Sequence, residues 1–316
     1  MKKQKRFFNY IIPIALMGFL LIGCAKETTT RVDTTSNATT QTAIAADEVT
    51  LNNEFDLFVD DAIAVLSNHN ATLTGAYPPD SVSPGLIEIT YNDKTVFNST
   101  KTRLGADSMH FNPAIPWSTP GATATLSFGD QLNAGYEVNF ESNNPVTSVR
   151  LNGILTIINQ SGGLLQNLAS GDSIVVILKG SLTYTFNDNA ATIVYYPFNV
   201  CQIRSIKNVG GVFIASTFGD TAIGGYQKVC NWGLDRFANT YYTSINTVVV
   251  QNISNASLAY NPISGVKNIQ GISEPIICAF GVNSAGNVIT SGIPFGQYIS
   301  WYNNGGGANA VVPYYY

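Results

Sequence analysis

Four long runs of β-forming residues, with turn-forming clusters between them and nothing helical, most restrict what this chain can fold into. They are Ser148–Gln160, Ser173–Phe186, Ala191–Ile203 and Tyr241–Gln251, each rich in Val, Ile, Thr and Tyr. Clusters of Asn, Gly, Asp and Ser punctuate them. Asn187-Asp188-Asn189 reads as a hairpin turn, because Asn and Asp tolerate positive φ at little cost. No strand–helix alternation follows Leu66, which argues against a parallel α/β sheet. The expected class is mainly β, in antiparallel β-sandwich-like modules.

One helix precedes the strands. Phe55, Phe58, Val59, Ala62 and Leu66 recur at helical spacing. Asn52 or Asn53 can cap it, and Glu54 and Asp56 suit its positive end. Asp60 and Asp61 fall on the polar side and are expected as a solvated face rather than a metal or catalytic pair. Residues 25–50, dominated by Thr, Ser, Asn and Gln, have little to bury and read as a disordered tether with an r.m.s. reach of about 28 Å. The expected division is 1–23, a leader; 24–50, the tether; 51–118, the helix with a β/loop segment; and β modules at 119–207 and 208–316.

An internal echo runs through the two modules. Phe128-Gly129-Asp130 is followed four residues later by Gly135-Tyr136, and Phe218-Gly219-Asp220 at the same spacing by Gly225-Tyr226. Phe280-Gly281 with Gly286 is a looser third copy. Each reads as a β-hairpin, with Phe buried at a strand end, Gly and Asp turning, and the second Gly admitting the return.

Chemistry-bearing residues are sparse. Charged residues make up 11% and the net charge is −4, which leaves no basic footprint for nucleic acid. Cys201, Cys230 and Cys278 fit either one disulfide with a spare thiol or three buried thiols. No CxxC or Cys/His spacing is present, so no metal and no cofactor is expected. The two histidines are expected as an exposed residue after the helix, His69, and a loop residue, His110; neither sits by a Gly-x-Ser-x-Gly elbow. A glycosidase pair would have to come from Asp130, Glu137, Glu141, Asp220 or Asp235, and nothing marks a pair. P-loop, dinucleotide and EF-hand patterns are missing.

Aromatic residues are the richer signal, with 16 Tyr, 16 Phe and 3 Trp, many beside Asn and Gly. Trp117, Trp232, Trp301 and Tyr302 are the candidate binding aromatics. Exposed rings beside amides can stack on sugars or form a protein interface.

At the N-terminus, a charged stretch (Lys2, Lys3, Lys5, Arg6) is followed by an apolar run, Phe7–Ile22, too short for a bilayer span of about 20 residues. It ends in Leu21-Ile22-Gly23-Cys24, which resembles the bacterial lipobox. The resemblance implies cleavage before Cys24, acylation of its thiol and new amino group, and an outer-membrane anchor facing periplasm or surface. Lys26-Glu27 faintly resembles a Bacteroidota surface-export tag. The mature region, over roughly 120–300, is similar to Bacteroidota lipoproteins that bring no activity with them. Their pattern is the repeated Phe-Gly turns, Trp232-Gly233 through Ile245, and Asn261-Pro262-Ile263-Ser264-Gly265-Val266. Sequences resembling the Bacteroidota O-glycosylation motif place candidate acceptors at Thr34, Ser81, Ser108, Ser173 and Thr221.

The expected function is a membrane-anchored binding module for glycan or protein, with the membrane as its first partner. The rivals are a polymer hydrolase using a carboxylate pair and a structural envelope or fimbria-like subunit.

Overall fold

The computed structural model describes residues 35–69, 80–95, 102–128, 136–139, 148–187, 196–254, 261–303 and 306–314. One helix, α1 (Thr35–Ser67), precedes all the strands. The first half of the sheet is β1 (Asp80–Ser83), β2 (Leu86–Thr95), β3 (Thr102–Phe111), β4 (Ala122–Phe128), β5 (Tyr136–Asn139), β6 (Ser148–Asn159), β7 (Ser173–Asn187) and β8 (Tyr196–Val209). The second half is β9 (Val212–Gly219), β10 (Thr221–Ile223), β11 (Tyr226–Leu234), β12 (Thr240–Asn252), β13 (Ser264–Gln270), β14 (Ile276–Val282), β15 (Gly296–Asn303) and β16 (Gly306–Pro313).

The molecule is mainly β and antiparallel throughout, as its alternating strand sequences require. All sixteen strands among the described residues join one hydrogen-bonded sheet, whose main path is β1-β2-β3-β4-β6-β7-β8-β11-β12-β13-β14-β15-β16, with β5, β9 and β10 paired off that path. The 207/208 boundary expected between modules falls inside β8. What the interior does show is two apolar clusters. One gathers Leu51–Leu66 of the helix with β2–β9; the other gathers Ile44–Val49 with β11–β16.

Two lanes of the sheet hold two strands end to end. β4 and β5 share the lane between β3 and β6. β9 and β11 share the lane between β8 and β12. The sequence echo falls on these two interruptions. The chain leaves the lane after Phe128 or Gly219 and re-enters it running the same way. In the second lane the excursion contains the β10–β11 hairpin, which turns at Gly224-Gly225 rather than at Gly219-Asp220. The hairpin reading of the first two copies is therefore corrected. Phe128 is fully buried, but Phe218 is 37% exposed. Gly219 is needed for close approach, since a Cβ there would stand 1.8 Å from the Lys228 carbonyl oxygen. Gly129 and Asp130 lie outside the described residues.

The helix also departs from expectation. It begins at Thr35, so residues 35–50 are helical, and Asn52 and Asn53 lie mid-helix rather than capping it. From Ile44 to Ser67 nearly every side chain is buried, the acidic ones included. Phe58 shows why this segment seeks the sheet: its ring lies 4.4 Å from Phe128 and 5.0 Å from Phe55, both edge-on.

Candidate functional site

A helix buried on all sides must satisfy its carboxylates internally. The sheet supplies the cations. Arg204 on β8 forks onto Asp60, with Nε to Oδ1 at 2.8 Å and Nη2 to Oδ2 at 2.6 Å. Its Nη1 donates to Thr217 and Gln251 and lies 3.3 Å from Asp56. Arg103 on β3 meets Asp61 at 2.6 Å and stacks over Tyr91. Arg236 forks onto Asp47. Lys267 on β13 reaches Glu48 at 3.5 Å, and Asn231 donates to Glu48 and Asn52. Asp60 and Asp61 are thus a buried, paired seam and not the solvated face expected of them.

Burial dominates the electrostatics here. It pushes the Asp60 carboxyl up to about 6, against the pull of Arg204 and with a further push from Asp56 and Asp61. Glu48 is raised by burial although Lys267 opposes it. Asp107 is raised well above the usual carboxylate range by burial, with Arg103 opposing. A cavity of about 10 Å³, room for one water, lies among Asp47, Glu48, Tyr184, Asp235 and Tyr241. The seam's visible work is to lock helix to sheet.

The outer face offers a different surface. Strand pairing sets one cross-strand row side by side: Ser108, Ser127, Ile154, Ser181, Asn199, Trp232, Tyr242 and Gln270. Their strand neighbours Phe198, Val200, Asn231, Tyr241, Thr243 and Ile269 are buried, so the row points outward by simple alternation. No member of the row is charged. Trp232 stands directly opposite Tyr242, with Asn199 on its other side. Ser181 donates to Asn199 at 2.9 Å. The Tyr242 ring is wedged between backbone turns: a Cβ at Gly224 would stand 2.6 Å from it and one at Gly271 2.9 Å. Tyr226, on the excursion hairpin, adds a second ring at 5.3 Å.

The sequence candidates separate here. Trp117 and Trp301 are buried, one in each apolar cluster, and are corrected from binding aromatics to core residues. Trp232 is half-buried on the outer row, and Tyr302 is 77% exposed near the β15–β16 hairpin. Tyr242, Tyr226, Asn199, Ser181 and Gln270 were not singled out as site residues; period-two parity along β8 and β12 was the signal for Asn199 and Tyr242. Cys201, Cys230 and Cys278 are free thiols, the last two buried in strands. His69 is exposed as expected, whereas His110 lies on β3 and not in a loop. Asp235 accepts from the Phe237 and Asn239 amides within its own turn. Asp220 sits between β9 and β10. Of the acceptor candidates, Ser173 is exposed at the start of β7, Ser108 and Thr221 are half-buried, and Ser81 lies on β1. Leu21, Ile22, Gly23, Cys24 and Thr34 lie outside the described residues, as do Glu141 and the Asn187–Asn189 turn beyond Asn187.

No protein-family model, curated protein or solved structure matches the chain.

Proposed function

We propose that this chain is a lipid-anchored protein of the bacterial outer membrane that binds a neutral glycan on the outer face of its sheet. The anchor rests on Leu21-Ile22-Gly23-Cys24. The glycan reading rests on Trp232 set opposite Tyr242, with amides at Asn199 and Gln270 on either side. Aromatic faces accept the C–H faces of sugar rings, and flanking amides both donate to and accept from hydroxyls. A row without charge suits a neutral polymer better than a uronic or phosphorylated one.

Affinity electrophoresis against a panel of neutral and acidic polysaccharides tests this. A neutral polysaccharide should retard the wild-type protein, and Trp232→Ala should weaken binding at least about tenfold, or ~1.4 kcal/mol. Retardation unchanged in Trp232→Ala, or by acidic polymers alone, would refute the reading. Separately, Cys24→Ser should leave the precursor uncut and unacylated. Normal processing of that variant would remove the anchor.

A further inference from the structure

From Pro275 to Tyr316 the chain has no Asp, Glu, Lys, Arg or His. This segment forms β14, β15 and β16, the last three strands of the sheet path. It also holds many of the exposed large apolar side chains: Ile277, Val288 (67%), Ile293 (56%), Phe295 and Tyr302. The rest of the mature chain is acidic. Cleavage before Cys24 removes Lys2, Lys3, Lys5 and Arg6 and leaves twelve basic residues against twenty acidic ones.

The helix ties this edge to the N-terminus. Among the strands, its backbone packs most against β16 and then against β14 and β15. Gln41 donates to Glu274, and Gln297 on β15 donates to the Ala45 carbonyl at 2.8 Å. Ala38, Ala308 and Ala310 flank one cluster. The first described turns of α1 therefore lie at this edge. Residues 25–34 separate Cys24 from the helix, a span of at most about 40 Å when fully extended.

We propose that the charge-free β14–β16 edge lies against the lipid surface, with Val288, Ile293, Phe295 and Tyr302 at the headgroup boundary. This rests on the lipid-anchor reading and goes beyond it. An acidic protein held near anionic headgroups meets least repulsion on its uncharged side. Exposed Phe, Ile and Tyr gain by entering the interface. The anchor keeps the edge at high local concentration, so weak contacts suffice. The contact is apolar, so salt has little effect on it. The Trp232 row, on β11 and its neighbours, stays free for ligand.

The test uses the lipidated chain in phosphatidylcholine vesicles brominated on the acyl chains near the headgroup. A single Trp is added at Ile293→Trp or Tyr302→Trp on the edge, or at Ile115→Trp in the β3–β4 loop at the far end of the sheet. All three positions are exposed and accept the larger ring. Flotation reports anchoring, and loss of the added emission reports contact. The expected result is flotation of all three, with quenching at 293 and 302 only, at low and high salt alike. Flotation with all three unquenched, or all three quenched alike, overturns the inference and leaves the anchor standing. Cross-linking of 302 to a second copy in place of quenching also overturns it, because the edge then faces protein. Failure to float removes the anchor reading and the inference together.

Discussion

Arg204 is fully buried, and its guanidinium is held by Asp60, Asp56, Thr217 and Gln251. Removing it strands two carboxylates in an apolar interior. Arg204→Met should therefore cost about 3–5 kcal/mol, whereas adding Asp60→Leu to it should restore part of the loss. Urea midpoints of the single and double variants measure both, and an unchanged midpoint for Arg204→Met would show that the pairing is idle. The same seam sets a pH dependence. Asp60 is held near 6 against an unfolded value of 3.8, and Glu48 and Asp107 are raised too. The native state then holds more protons than the unfolded chain between those values. Their stabilising contribution is complete below the unfolded value and is lost as pH rises through the native one. The urea midpoint should be higher at pH 5 than at pH 7, with a shallower slope in Asp60→Asn; a midpoint that falls on acidification over that range contradicts it. Little of this was legible locally. Asp60 meets a cation 144 positions away. The one available hint was parity along β8, where Val200, Gln202, Arg204 and Ile206 occupy the same inward face.

The elements were more readable than their partners. Richness in Val, Ile, Thr and Tyr located β6, β7 and β12 to within one residue at each end, because such side chains fit a pleated, half-buried surface, whereas the run expected at Ala191–Ile203 stops six residues short of the end of β8 at Val209. The helix was found only over its apolar stripe. Residues 35–50 lack such a stripe, and they are helical where β14–β16 pack against them, a cause no local pattern carries. The echo was legible as a spacing but not as a device: both full copies mark a lane that the chain leaves and re-enters. Within the helix, Phe58 is a fully buried ring packed edge-on against Phe55 and Phe128. Phe58→Ala should cost about 3–5 kcal/mol, with the outer-face row intact. Calorimetry should show a lower melting temperature, while glycan retardation at low temperature stays as in the parent. A melting temperature equal to the parent's would mean that the helix contributes little to the core.

At the scale of the molecule, one helix serves two apolar clusters. Its Leu51–Leu66 stretch completes the first, and its Ile44–Val49 stretch completes the second. The sheet runs unbroken between them through β8, β11 and β12. Two domains joined by a linker could melt separately, because few contacts would cross the boundary. Here Glu48, Asp56, Asp60 and Asp61 lie along one continuous helix, so a helix that leaves the sheet takes with it the partners of Lys267, Arg204 and Arg103 in both halves. The chain should unfold in a single step. Trp117 and Trp301 are natural reporters, one buried in each cluster. Two proteins, each keeping one of them and carrying Phe at the other two Trp positions, should give coincident transitions when each is compared with far-ultraviolet circular dichroism of the same sample. If the Trp301 signal changes at lower urea than the helix and sheet signal, the β11–β16 half is an independent unit, and α1 is a passenger there rather than the shared spine.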